Sequence, residues 1–135
     1  MKLTFRPLDL KLKHTFQIAR ETRTIQNNVI VLLQDNDEVV GLGEAAPTSY
    51  FGEDVHSVTS VLAQSADLLS HSDPFQIEDI TNRLKNEFPE SAAARASIDI
   101  ALHDIIGKKL KIPLYRLLGL NRPESKTTSF TIGID

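Results

Sequence analysis

Residues 28–46, NVIVLLQDNDEVVGLGEAA, decide the fold, because they contain two strand-like segments and the turn that joins them. Residues 28–34 are an almost continuous apolar run, which is typical of a buried central strand. Residues 35–38 (Asp-Asn-Asp-Glu) favour a turn, since Asn and Asp tolerate left-handed backbone conformations. Apolar residues return over 39–46. The stretch therefore predicts a β-hairpin that forms the second and third strands of an antiparallel sheet.

The segment before this hairpin predicts the first strand. Leu3 and Phe5 alternate with polar neighbours, and the alternation resumes over residues 8–12. Pro7 interrupts this segment and has no N–H group to donate to a neighbouring strand, so it favours an edge position. The first half of the chain is thus expected to be a three-stranded antiparallel sheet with the first strand at an edge.

The second half has apolar residues at helical spacing. A first helix is expected from Asp54, and Asp73-Pro74 favours the start of a second, because Asp accepts free N–H groups and Pro suits the first helical position. A third helix is expected from about Ser91, followed by a short helix at 113–118. Gly119 suits the left-handed residue that ends a helix. Together with the sheet, these helices predict an α+β fold.

Residues 127–135, TTSFTIGID, predict one more β-strand, because they are rich in Thr, Phe and Ile. This strand has no partner nearby in the sequence, so we expect the polypeptide to continue into a larger fold. On a strand, Thr131 faces away from Phe130 and Ile132. Thr131 is therefore either a ligand-facing residue inside a barrel or an ordinary surface threonine.

The composition argues against several classes of function. The 135 residues are 41% hydrophobic and carry a formal net charge of −3, so no basic surface points to nucleic acid or to an anionic membrane. The chain has no cysteine, which removes disulfides, thiolate zinc sites and cysteine nucleophiles. The longest apolar run, residues 29–33, is too short to span a bilayer, and the N-terminus has no apolar signal core. We therefore expect a cytoplasmic location.

Two loops are the candidate functional segments. Residues 16–24 contain Arg20 and Arg23, and residues 47–53 contain the aromatic pair Tyr50-Phe51. If both loops lie at the same end of the sheet, they could form a lid over a small molecule that has a carboxylate and an apolar part. In the alternative interpretation, the arginines are solvated charges and the aromatic pair fills the junction between helix and sheet.

Other polar residues favour structural roles. Asp99 and His103 share a helix face, but without a third ligand a surface pair is favoured over a metal site. Glu44 is expected to accept backbone N–H groups of the following loop rather than to act in catalysis. Gly41-Leu42-Gly43 lacks the third glycine of a phosphate-binding loop.

Six segments carry a resemblance to a known family. They are GLGEAAP at 41–47, YFGE at 50–53, ALHDIIGK at 101–108, IPLYRLLG at 112–119, IARETRT at 18–24 and TSFTIGID at 128–135. The first four resemble the N-terminal capping domain of the enolase superfamily, in its muconate-lactonizing and mandelate-racemase group. The last two are similar to dipeptide epimerases of the L-Ala-D/L-Glu type.

The resemblance implies a capping domain over residues 1–120, with 121–135 forming a linker and the first strand of a TIM-like barrel that this chain does not contain. It implies an isomerase that moves a proton at the α-carbon of the C-terminal residue of an L-Ala-X dipeptide. In the family, Mg²⁺ on the barrel holds the substrate carboxylate and stabilises the enolate. The acid, base and metal ligands belong to the barrel, so none is expected here and this portion alone is not expected to be active.

The resemblance also implies substrate-binding positions. Arg23 matches an arginine that the epimerases place near the substrate side chain, and Arg20 is a further candidate. Thr131 matches a first-strand threonine that contacts substrate. Tyr50 and Phe51 match the second cap loop, which shapes specificity, and they would favour a dipeptide with apolar surface.

Alternatives remain open at this stage. The cap motifs are shared with muconate cycloisomerases and o-succinylbenzoate synthases, and a cap-like domain could also bind a partner without chemistry. The expected partner is a small dipeptide substrate, and assembly into a homo-oligomer is compatible with the family.

Overall fold

Three antiparallel strands come first in the chain and helices follow. The computed structural model describes residues 1–18, 21–122, 124 and 127. The strands are β1 (Lys2–Ile18), β2 (Glu21–Gln34) and β3 (Val40–Ala45), and they are hydrogen-bonded in the order β1-β2-β3. The predicted antiparallel sheet, with β2 central and β1 at an edge, is therefore confirmed.

The helices are α1 (Val55–Ser70), α2 (Ile77–Glu87), α3 (Ala92–Leu110) and α4 (Leu114–Leu117), and a 3₁₀ turn at Ser49–Phe51 precedes them. The first helix begins where predicted, and Asp54 caps it: its carboxylate accepts from the Ser57 N–H over 2.7 Å, and the Ser57 hydroxyl accepts from the Asp54 N–H over 3.0 Å. Ser91 precedes α3, and Gly119 has the expected left-handed conformation with φ of 69°.

The predicted start of the second helix at Asp73-Pro74 is wrong. Asp73 instead forms a tight turn, in which its carboxylate accepts from the Phe75 N–H and its backbone oxygen accepts from the Gln76 N–H, both over 3.0 Å. The helix begins only at Ile77. Both Asp73 acceptors are engaged before the first helical turn, so this Asp closes a turn rather than capping a helix.

The core lies between one face of the sheet and the helices. Val29, Val31 and Leu33 alternate along β2 and are fully buried on this face, together with apolar residues of α1, α2 and α3. Gly41 and Gly43 of β3 lie directly under α3, where an added Cβ would collide with the backbone oxygen of Ala101 or Ser97. The glycine pair therefore allows the backbones of α3 and β3 to pack in contact.

Two further sets of polar contacts join the sheet to the helices. The N-terminal ammonium group of Met1 donates to the backbone oxygens of Leu69 and Ser70, over 3.1 and 3.3 Å, and so joins β1 to the end of α1. Lys109 near the end of α3 donates to the carboxylates of Asp35 and Asp37 in the β2–β3 turn. Across the described residues, no helix has both the length and the apolar character that crossing a bilayer requires.

Candidate substrate-specificity site

Strands β1 and β2 and the loop after β3 meet at a cleft of about 670 Å³. Asp9 and residues 22–27 line it from the hairpin, while Pro47, Ser49 and residues 53–56 line it from the loop and from the start of α1. The predicted loop at 16–24 is wrong in part, because residues 16–18 extend β1 and residues 21–24 begin β2. The prediction that the two candidate segments lie at the same end of the sheet is confirmed. Arg23 lies in the wall of this cleft.

Arg23 belongs to a chain of hydrogen bonds that crosses the sheet. Its Nη1 donates to Gln26 Oε1 over 2.6 Å, and Gln26 Nε2 donates to Asn28 Oδ1 over 2.8 Å. Asn28, which is buried, then donates from Nδ2 to Glu44 Oε1 over 2.5 Å. The guanidinium group is therefore connected through two amide side chains of β2 to the Glu44 carboxylate on β3.

Glu44 has the structural role that the sequence suggested, but the predicted partner was wrong. Its carboxylate accepts from the Asn28 side chain rather than from the backbone of the following loop. The strand register explains this, because Ile30 lies opposite Glu44 and Asn28 is the diagonal neighbour on the same face. Gln26 and Asn28 were not identified from the sequence, although two amide side chains spaced by two residues at the start of an apolar strand are a usable signal.

The loop after β3 is a compact turn that displays two aromatic rings. The Thr48 backbone oxygen accepts from the N–H groups of Phe51 and Glu53, over 3.1 and 3.2 Å, and Gly52 takes the left-handed conformation with φ of 71°. The rings of Tyr50 and Phe51 meet edge to face with centroids 5.0 Å apart. They are 71% and 67% exposed, so the alternative in which they fill the helix–sheet junction is wrong.

Glu53, at the end of this loop, is a buried carboxylate. Its side chain is 7% exposed as a residue, and Oε1 accepts from the Ala93 N–H over 2.8 Å. Ala93 lies in the first turn of α3, where Ser91 makes no side-chain capping bond. Glu53 therefore satisfies a free N–H at the start of α3, where the helix dipole favours a negative charge.

Asp54, the next residue, binds a free N–H group at the start of α1. The pKa of Asp54 lies below its usual value, because the Ser57 N–H and then the Ser57 hydroxyl hydrogen-bond to the charged carboxylate, although desolvation opposes them. Two adjacent acids thus bind the starts of α3 and α1. Sequence analysis placed the start of the first helix at Asp54 but gave Glu53 no role of its own, because the start of α3 lies 40 residues further along the chain.

The structure does not place the remaining candidate residues at the cleft. Arg20 and Thr131 lie outside the described residues. His103 Nδ1 lies 3.0 Å from the backbone oxygen of Asp99 and 3.5 Å from its carboxylate, which fits the favoured surface pair. Among the residues that the structure describes, no three His, Asp or Glu side chains converge to hold a metal ion.

Comparison with known proteins defines the class. Residues 2–119 match the family model of the mandelate racemase / muconate lactonizing enzyme N-terminal domain, and the chain belongs to this family. The resemblance seen in the motifs and the enolase-like capping fold are thereby confirmed.

Particular relatives are dipeptide epimerases. The chain is 45% identical over 135 residues to an L-Ala-D/L-Glu epimerase from Bacteroides thetaiotaomicron, and 34% identical over 127 residues to a hydrophobic dipeptide epimerase from Enterococcus faecalis. These alignments cover 100% and 93% of this chain but 35% and 36% of the relatives, so the chain spans about a third of their length.

A solved relative shows the same fold. The dipeptide epimerase from Methylococcus capsulatus, complexed with Mg and the dipeptide L-Arg-D-Lys, superposes with a TM-score of 0.92 at 30% identity. The match covers 99% of this chain and 38% of that structure.

Proposed function

We propose that this chain is the N-terminal, substrate-contacting part of a Mg²⁺-dependent dipeptide epimerase that inverts the α-carbon of the C-terminal residue in L-Ala-X dipeptides. The observation that carries the proposal is the similarity along the entire chain to an L-Ala-D/L-Glu epimerase at 45% identity. The cleft between hairpin and loop agrees with this role, because Arg23 lies in its wall and the guanidinium group is held by a hydrogen bond to Gln26.

We assign residues 1–120 to the cap and residues 121–135 to a linker and the first barrel strand. The proposal places Mg²⁺ and the acid and base on the barrel, as the family resemblance implies. The role of this chain is then to bind and select the dipeptide while the barrel performs the proton transfer.

Arg23 is proposed to contact the side chain of the substrate residue that is epimerised. A guanidinium group binds a carboxylate through two parallel hydrogen bonds, which suits a substrate ending in Glu. The exposed rings of Tyr50 and Phe51 are proposed to cover the apolar part of the dipeptide. Arg20 and Thr131 remain proposed substrate contacts on the strength of the family resemblance.

Proton exchange in D₂O tests the proposal directly. The full-length protein is incubated with Mg²⁺ and with L-Ala-L-Glu, L-Ala-L-Phe or L-Lys-L-Arg, and the α-proton signal is followed by NMR. We expect loss of the α-proton of the C-terminal residue, fastest for an L-Ala dipeptide. Absence of exchange with every dipeptide would contradict the proposal, and turnover of a muconate instead would assign the protein to the cycloisomerases.

A further inference from the structure

The loop that carries Tyr50 and Phe51 is held at both ends. Pro47 is buried where the loop leaves β3, and Glu53 is buried where the loop meets α1. Between these ends, the rings of Tyr50 and Phe51 are mostly exposed. The position of the aromatic pair is therefore set by the backbone turn and by its two anchors rather than by burial of the rings.

Glu53 is the end of the loop that hydrogen-bonds to another element of the fold. Its Oε1 accepts from the Ala93 N–H of α3 over 2.8 Å, while its own N–H donates to the Thr48 backbone oxygen over 3.2 Å. One residue thus closes the loop turn and ties that turn to a helix that packs on β3. A carboxylate at a helix start makes a charge-assisted bond, which is stronger than a neutral one.

We propose that Glu53 is a positioning residue for substrate selection: through the Ala93 N–H it fixes the turn that presents Tyr50 and Phe51 to the dipeptide. The inference rests on the proposed function. Without this bond, the start of α3 keeps a free N–H, and the turn that carries the aromatic pair is no longer held in one place beside Ser49 and Glu53 of the cleft wall. Loss of fixed geometry weakens discrimination between substrates, because small displacements of binding groups carry large kinetic costs.

Three variants of the full-length protein test this. Glu53→Ala removes the acceptor. Glu53→Gln keeps an acceptor oxygen and loses only the charge. Ala96→Gly is the matched control, because it loosens α3 at an exposed position one turn further on and leaves Glu53 untouched.

The first measurement is hydrogen exchange, which does not depend on activity. In Glu53→Ala the amides of Phe51, Gly52 and Glu53 should exchange at least about tenfold faster than in the wild type. Glu53→Gln should lie near the wild type, and Ala96→Gly should leave these three amides unchanged. Wild-type exchange of the loop in Glu53→Ala would overturn the proposal.

The second measurement is the ratio of kcat/KM for L-Ala-L-Phe to that for L-Ala-L-Glu. We expect Glu53→Ala to change this ratio about tenfold, chiefly through KM, and Glu53→Gln to restore most of it. An equal change in Ala96→Gly would show a general loss of stability and overturn the proposal. If the wild type turns over no dipeptide, the proposed function fails, and the selection role falls with it even where exchange shows a loosened loop.

Discussion

The backbone N–H of Leu42 on β3 donates to the side chain of Asp104 on α3 over 2.8 Å. Lys108, one turn further along α3, donates to the Val40 backbone oxygen and to Asp104, both over 2.7 Å. Strand β3 is an edge of the sheet, and an open edge can pair with a second chain. Two helix side chains therefore occupy polar backbone groups that another strand would otherwise use.

Asp104→Ala should expose this edge. We expect the free energy of unfolding to fall by about 1 kcal/mol, since the bonds that this partly exposed carboxylate accepts from the Leu42 N–H and from Lys108 are lost. We also expect light scattering to increase with protein concentration, because the Leu42 N–H becomes available for pairing. Asp99→Ala on the same helix is the control, as Asp99 pairs with His103 and not with β3. Equal behaviour of the two variants would rule out edge protection by Asp104.

Gly43→Ala should be one of the most damaging single-methyl changes in the chain. The new Cβ would collide with the backbone oxygen of Ser97, and a helix backbone cannot move aside as a flexible side chain can. We expect a loss of about 3 kcal/mol or more, measured by urea unfolding. Gly52→Ala is the comparison, because nothing lies within 4 Å of its added Cβ and only the positive φ opposes it, at a cost of about 1 kcal/mol. A Gly43→Ala variant no less stable than Gly52→Ala would contradict contact packing of α3 on β3.

These glycines mark the limit of what could be predicted from the sequence. The strands and the turn at 35–38 follow from alternation and from local turn propensity. Gly41 and Gly43 were placed in the third strand and in a family motif, but the sequence alone showed no packing reason for them. Their reason lies in α3, more than 50 residues along the chain, and one sequence cannot show which helix crosses which strand.

Some features of the candidate site could be predicted from the sequence and others could not. The meeting of the two loops could be predicted, because a hairpin and the next strand fix which ends of the sheet coincide. The partners of Glu44 and Glu53 could not, since one depends on the strand register and the other on the fold of a distant helix. The predicted helix start at Asp73 was wrong for a local reason, because Asp is equally suited to close a turn and to cap a helix.

Acid should weaken the contact between Asp35 and Lys109. Burial acts to raise the pKa of Asp35, but the hydrogen bonds from Lys109, Val39 and Asp37 outweigh it, so the pKa lies below 3.8. A carboxyl group with a lowered pKa in the folded state stabilises the fold above pH 3.8, and this contribution is lost as pH falls through the folded value.

Asp35→Asn tests this linkage, because Asn keeps an acceptor for the turn N–H groups and removes only the charge. The variant should be less stable than the wild type at pH 7, and the difference should shrink as pH falls below 3.8. Urea unfolding at a series of pH values measures it, with the exposed Asp67→Asn as control. A difference that is constant down to the lowest pH would contradict the lowered pKa of Asp35.

Tyr50→Ala should alter substrate preference with little effect on folding. The ring is 71% exposed and its edge-to-face contact is with Phe51 in the same loop, so its removal leaves the core intact. If the pair covers apolar substrate surface, kcat/KM for L-Ala-L-Phe should fall by about tenfold relative to L-Ala-L-Glu. Phe75→Ala, another half-exposed aromatic residue but at the start of α2, is the control. An unchanged ratio in Tyr50→Ala would remove this ring from the specificity surface.

Asn28→Ala should act on substrate through Arg23. The variant removes the hydrogen bonds that join Gln26 to Glu44. Gln26, which accepts from the Arg23 guanidinium group, is then no longer connected to β3. We expect KM for L-Ala-L-Glu to rise about tenfold while KM for L-Ala-L-Phe changes little, because only the acidic side chain needs an aligned guanidinium group. Gln64→Ala is the control, since Gln64 is an exposed amide on α1 that bonds to Ser60 and lies outside the cleft wall.

A double variant separates support of Arg23 from general damage. Arg23→Ala should raise KM for L-Ala-L-Glu by itself, and adding Asn28→Ala should then have little further effect, because the residue that Asn28 supports is already gone. Additive effects of the two substitutions on KM would mean that Asn28 acts independently of Arg23. Non-additivity with L-Ala-L-Glu, together with unchanged kinetics in Gln64→Ala, would assign Gln26, Asn28 and Glu44 to the positioning of this arginine.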